Sequence, residues 1–214
     1  MKRILKLTII LIFSSVLIPF QKTDAQVEVT PYTGFMFGGN YHGYNNYIDI
    51  EDGQNYGIAT DITIFPGGQV ELMYNRMVSS ASFRGYYDND YGSFDLASEY
   101  FHIGALQEVM SGKVRPFGNI SIGLAVFTPQ NREFDTDVSF SFNFGGGVKV
   151  YLTDMVGIRL QGRLMMPVYF TGVGFGCGIG TGGASCGGAG LSSVLLQGDF
   201  SAGLIISLAG GGAE

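Results

Sequence analysis

The sequence predicts an all-β fold: an eight-stranded antiparallel up-and-down transmembrane β-barrel with short periplasmic turns and long outer loops. Three observations carry this expectation. Apolar residues recur at every second position through much of the chain, short and long connections alternate between those segments, and the N-terminus reads as an export signal.

The alternation is plainest at residues 119 to 127, NISIGLAVF, where Ile120, Ile122, Leu124 and Val126 share one face and Asn119, Ser121, Gly123 and Ala125 the other. In 138 to 151 Phe140, Phe142, Phe144, Val148 and Val150 oppose Ser139, Ser141, Asn143 and Lys149. In 156 to 169 Val156, Ile158, Leu160 and Leu164 oppose Arg159, Gln161 and Arg163. A helix would scatter the three phenylalanines around its surface, and the β-branched and aromatic content suits strands. Eight segments follow, at about 27 to 39, 55 to 65, 69 to 80, 96 to 108, 115 to 128, 138 to 151, 156 to 169 and 195 to 208. Each is long enough to cross a hydrocarbon layer at a tilt, which takes roughly 9 to 11 residues.

The connections at 66 to 68, 109 to 114 and 152 to 155 are short, whereas those at 40 to 54, 81 to 95, 129 to 137 and 170 to 194 are mostly long and rich in Gly, Asn, Asp and Tyr. That is the pattern of tight periplasmic turns and extended outer loops, with both termini on the periplasmic side. Alternation by itself does not say which face is inside, since a soluble sandwich buries its apolar face and a membrane barrel exposes it. Export, the near-uniform segment lengths, and Tyr32, Tyr74, Tyr100, Tyr151 and Tyr169 at or near segment ends, where interfacial girdles sit, favour the membrane barrel.

Residues 1 to 25 carry Lys2, Arg3 and Lys6, then the run LTIILIFSSVLIPF, then Thr23, Asp24 and Ala25, which describes a secretory signal peptide cleaved before Gln26. The apolar run is short of a spanning helix. The domain plan is thus a cleaved signal at 1 to 25, a barrel at 26 to 208 and a short tail at 209 to 214, placed in the outer membrane of a Gram-negative bacterium by the general secretory route. Cleavage removes four of the 12 bases and one of the 18 acids, leaving 8 bases against 17 acids and a formal charge of −9. An acidic mature chain repels nucleic acid, which is not expected as a partner. Only 14% of residues are charged, with 34 Gly, 17 Phe and 12 Tyr among 214, a composition that excludes disorder.

At the strand 115 to 127, RPFGNISIGLAVF, and the hairpin 144 to 167, FGGGVKVYLTDMVGIRLQGRLMMP, the chain resembles the small eight-stranded outer-membrane β-barrel family, the group of OmpA/OmpX-like and OmpW-like proteins. The resemblance covers essentially the whole mature chain and implies fold more than function, because the family includes adhesins, small-solute channels and anchors. It implies outer-membrane lipid and lipopolysaccharide as surroundings and the barrel-assembly machinery as a partner. Family members often end on an aromatic residue, whereas this chain ends LIISLAGGGAE.

With the apolar face outward, Asp61, Glu71, Glu108, Lys149, Arg159, Arg163 and Asp199 point into the barrel, with Glu28 near the periplasmic rim. Opposite charges in such an interior must pair, so the expectation is an ion-pair network filling a lumen barely wide enough for side chains. A narrow polar pore lined by the same groups is the alternative. No metal site, cofactor or catalytic residue is expected. Asp88, Asp90 and Glu99 sit at positions 1, 3 and 12 of a calcium-loop template, but Gly92 and Ser93 break it and a solvated acidic loop, with Asp49, Glu51 and Asp52 nearby, is the reading. The two histidines are His42, in the first outer loop, and His102, inward on the fourth strand; either is the candidate base should the barrel act on lipid. Residues 178 to 183 match GxGxxG, but a strand and not a helix follows, so no dinucleotide is held. Cys177 and Cys186, the only cysteines of an exported chain, are expected to form a disulfide that staples the glycine-rich fourth outer loop. The functional expectation is a monomer with a structural or adhesion-type role, meeting an extracellular ligand through its loops; the alternatives are a narrow channel for small or apolar solutes and a lipid-modifying enzyme.

Overall fold

The computed structural model describes residues 26–42, 46–85, 91–109, 112–130, 136–170, 177–180, 183–186 and 191–208. The signal segment, the tail from 209 onward, and Asp88 and Asp90 lie outside these. Strands in chain order are β1 (Val27–Met36), β2 (Gly39–His42), β3 (Asn46–Ile50), β4 (Gly53–Phe65), β5 (Gly68–Gly85), β6 (Tyr91–Glu108), β7 (Val114–Pro129), β8 (Asp137–Tyr151), β9 (Val156–Phe170), β10 (Cys177–Gly180), β11 (Gly183–Cys186), β12 (Leu191–Val194) and β13 (Gln197–Ser207).

Eight of them close a barrel. β1, β4, β5, β6, β7, β8, β9 and β13 each pair antiparallel with the next, and β13 pairs back with β1. A paired row that starts at Val27 runs through Ile62, Val70, Ala105, Ile120, Phe144, Leu164 and Gly198 and returns beside Phe37, ten positions further along β1. With strands ~4.7 Å apart and a rise of ~3.3 Å per residue, that stagger tilts the strands by about 40° from the barrel axis.

The periplasmic-type turns are compact for local reasons. Between β4 and β5 Pro66 fixes one turn position and Gly67 takes the next at φ +80°, a left-handed conformation that favours glycine. Between β8 and β9 the Thr153 hydroxyl accepts the backbone N–H groups of Met155 and Val156 at 3.3 and 3.0 Å. At the opposite end the strands outrun their sequence limits. β5 and β6 are 18 residues each and stay paired to Arg84 and Tyr91, so much of the connection expected over 81 to 95 is strand. The first outer connection folds into β2 and β3, with β3 pairing to β5, and the fourth contains the β10–β11 hairpin and β12, which pairs with β9.

The faces divide as a lipid-surrounded barrel requires. Exposed side chains along the strands include Ile58, Leu72, Phe101, Ile103, Ile120, Ile122, Leu124, Phe144, Leu160, Leu164, Phe200 and Leu204, while Glu28, Asp61, Glu71, Lys149, Arg159, Arg163 and Asp199 are almost completely buried. A soluble barrel would carry these two sets the other way round. Three of the five tyrosines expected at a membrane girdle are inside: Tyr32, Tyr100 and Tyr151 are buried in the lumen because each falls on the inward parity of its strand. Tyr74 is on the outer face, its ring 5.0 Å from that of Phe101.

Tyr32 also explains a glycine. Its ring reaches across Gly57 of β4, its hydroxyl donating to the Tyr74 carbonyl at 2.9 Å, and a Cβ on Gly57 would lie 2.6 Å from the ring carbon that bears the hydroxyl. Gly57→Val is therefore expected to destabilise the barrel by about 1 to 3 kcal/mol through overpacking, read as a lower urea midpoint of the folded gel species.

Candidate functional site

The lumen gathers side chains whose positions in sequence are far apart. Lys149 on β8 donates to Glu28 Oε2 on β1 at 2.8 Å, Asp61 Oδ2 on β4 at 2.9 Å and Gln69 Oε1 on β5 at 2.7 Å, so all three ammonium protons have acceptors. Glu108 lies 3.4 Å away. Glu28 is more deeply placed than a rim residue, since its other oxygen accepts the Tyr151 hydroxyl at 2.7 Å. Arg159 on β9 donates to Asp61 at 2.9 Å, pairs with Glu71 on β5 and gives its Nε–H to Gln161 at 2.7 Å. Asn119 adds a 2.8 Å bond to Glu71. Arg115 joins Glu108 at 3.2 Å and stacks over Tyr151, near the short-turn end of the barrel.

In the barrel order β8 stands opposite β4, and β9 opposite β5, so the Lys149–Asp61 and Arg159–Glu71 pairs cross the lumen from wall to wall. Further up, Arg163 holds Asp199 through both Nε and Nη2, at 2.9 and 2.6 Å, and stacks over Tyr32. This fork geometry is the stronger kind of ion pair.

Sequence reasoning missed a second population. Met36, Met77, Met165, Tyr100 and Phe127 are buried in the outer half of the lumen and pack as one apolar cluster with Tyr32, Met73 and Leu195. The signal was available: Met73 and Met77 share the parity of Glu71, Met165 that of Arg163, and Tyr100 that of His102.

His102 is buried and its Nδ1 lies 3.1 Å from the Ser121 hydroxyl, which also accepts from Asn143 at 2.9 Å. Glu99 belongs to β6 on the outer face, bonded to Arg76 at 3.0 Å and to the Tyr74 hydroxyl at 2.7 Å, which removes it from any calcium loop. Among the described residues no group of His, Cys, Asp and Glu is arranged to hold a metal ion. His42 ends β2 opposite Tyr47, and Cys177 is paired with Cys186 across β10 and β11; the side chains of these four residues are outside the description.

A closed eight-stranded barrel with an apolar exterior and a bridged interior defines a membrane-type β-barrel. No protein-family model and no curated protein matches the chain. Solved structures do. Neisserial surface protein A is 13% identical with a TM-score of 0.54, over 86% of this chain and 97% of that one. The attachment invasion locus protein Ail of Yersinia pestis, in complex with the heparin analogue sucrose octasulfate, is 8% identical with a TM-score of 0.46, over 85% and 99%. The N-terminal β-barrel domain of Pseudomonas aeruginosa OprF is 13% identical with a TM-score of 0.38, over 84% and 98%. The chain has the fold of the small outer-membrane barrels.

Proposed function

We propose that this chain is exported by the secretory route with loss of residues 1 to 25 and sits as a monomer in the outer membrane of a Gram-negative bacterium. There it plays a structural or adhesion-type role through its outer surface, without enzymatic activity. The wall-to-wall bridging of the lumen by Lys149 and Arg159 is the observation that supports this reading, because it leaves the exterior and the outer extensions as the parts open to a partner. Lipid and lipopolysaccharide surround the apolar belt, and the barrel-assembly machinery inserts the chain. The extensions of β5 and β6 and the hairpins β2–β3 and β10–β11 are where an extracellular ligand would meet it. The His102–Ser121 contact is enclosed within the same lumen, which argues against its serving as a lipid-hydrolysing pair.

Purified protein in a planar bilayer is expected to pass no steady current; reproducible single channels would overturn the closed reading in favour of a narrow pore. For the surface role, cells displaying the protein are expected to bind a matrix-coated surface, and to lose that binding when residues 171 to 190 are replaced by a short turn. Equal binding by both would sink it.

The register that places Cys177 opposite Cys186 supports the disulfide. Cys186→Ser is then expected to shift non-reducing gel mobility and lower stability by about 2 to 3 kcal/mol on the loop-entropy argument. Two thiols that react freely with maleimide in the unreduced wild type would contradict the bridge.

A further inference from the structure

We propose that the outer wall of the barrel carries a notch for lipid headgroups, built by Tyr56, Tyr74, Arg76 and Glu99, which brings the polar boundary of the bilayer lower on this side of the barrel than on the side across from it. The inference rests on the reading that lipid surrounds the apolar face and adds where that face ends.

Parity puts the four residues outside. Tyr56 shares a face with Ile58, Tyr74 and Arg76 with Leu72 and Val78, and Glu99 with Phe101 and Ile103, all of these neighbours exposed. Tyr56, Arg76 and Glu99 are consecutive register partners on β4, β5 and β6, so they form one cross-strand row. Arg76 Nη1 donates to Glu99 Oε1 at 3.0 Å, and the Tyr74 hydroxyl donates to the same oxygen at 2.7 Å. The two charged side chains are 32% and 21% exposed, on the face that elsewhere is aliphatic and aromatic. The bond to Glu99 uses one guanidinium N–H, and the rest of the fork needs acceptors that acyl chains lack. Tyrosine beside an ion pair is instead the composition of a membrane–water boundary. Arg76 suits a headgroup phosphate and Glu99 the ammonium next to it, so the pair complements a zwitterionic lipid.

The boundary is not level around the barrel. With the strands tilted as above, Arg76 and Glu99 stand roughly 21 to 24 Å above Val27 along the axis. Across the barrel Met166 on β9 and Phe140 on β8, both outward and half-buried, stand roughly 24 to 25 Å above it. Apolar side chains on that side therefore reach as high as the ion pair on this one. Val78, the next outward residue above Arg76 and 47% exposed, is level with Phe140.

That equality of height supplies the test. The chain has no tryptophan, so Val78→Trp and Phe140→Trp each report one position, with Ile122→Trp marking the middle of the belt. Each is folded into phosphatidylcholine vesicles whose acyl chains carry bromine, a quencher confined to the hydrocarbon, and folding is checked by the gel shift between unheated and boiled samples. Phe140→Trp and Ile122→Trp are expected to lose most of their emission, and Val78→Trp to lose little and to emit further to the red. Arg76→Leu with Glu99→Leu leaves net charge unchanged, and in that background Val78→Trp is expected to become quenched as the boundary rises. Equal quenching at Val78 and Phe140 in the parent, or no change at Val78 in the double-leucine background, would overturn the notch while the lipid-facing belt stands. Shielding at Val78 that disappears as the protein is diluted in lipid would assign the notch to a second copy and overturn it too. Absence of quenching at Ile122 would instead overturn the membrane reading on which the proposal rests.

Discussion

Lys149→Met is expected to lower the stability of the barrel by about 3 to 5 kcal/mol, the usual penalty for stripping one partner from a buried charge pair. The lost ammonium is the shared donor of Glu28, Asp61 and Gln69, all nearly or fully buried, and methionine offers none of them a proton. Asp61 keeps Arg159 at 2.9 Å, but Glu28 keeps only neutral donors, among them Tyr151. The penalty should therefore fall mainly on Glu28, and Lys149→Met with Glu28→Gln should recover more than half of it. Urea titration with the unheated gel species as the folded signal suits a chain that has no tryptophan. A loss under about 1 kcal/mol in the single variant would mean that the network is not what holds the walls together.

Parity is a local property of a strand, and that is why so much of the interior could be read from the sequence. Asp61, Glu71, Glu108, Lys149, Arg159, Arg163 and Asp199 each occupy the face opposite a run of aliphatic or aromatic neighbours, and each is placed inside. Partnership is not local. Lys149 and Asp61 are 88 residues apart in sequence and meet because their strands stand opposite each other and the stagger of ten brings them level. The up-and-down ring order could be read from the alternation of short and long connections, but the stagger is not written in any such pattern. Tyr32, Tyr100 and Tyr151 show the complementary error, since their residue type and nearness to strand ends suggested an interfacial girdle while their parity said otherwise. Tyr151 shares the parity of Lys149 and lies inside with it. The outer connections were under-read for a different reason: β2, β3, β10 and β11 are only four or five residues long, and they pair within their own connections or, for β3, with the outer extension of β5.

Ile122→Arg tests the environment of that belt. Ile122 lies in the middle of β7 and is 48% exposed, between Ile103 of β6 at 52% and Phe142 of β8. For a protein in water, exchanging an exposed isoleucine for arginine is close to neutral, because the side chain already faces solvent and nothing packed is disturbed. In hydrocarbon the guanidinium must give up its hydration or pull water and headgroups down to mid-depth, which costs about 2 to 4 kcal/mol at the centre of a bilayer and little near its surfaces. The expected result is a loss of that size for Ile122→Arg in phospholipid vesicles, and a loss of less than about 1 kcal/mol for arginine at Val114, exposed at the turn end of the same strand. Lysine at Ile122 should behave as arginine does, and serine should cost less than either. Equal, small effects at both positions would mean that the apolar face does not meet lipid, and the membrane reading would fall even though the barrel itself would stand.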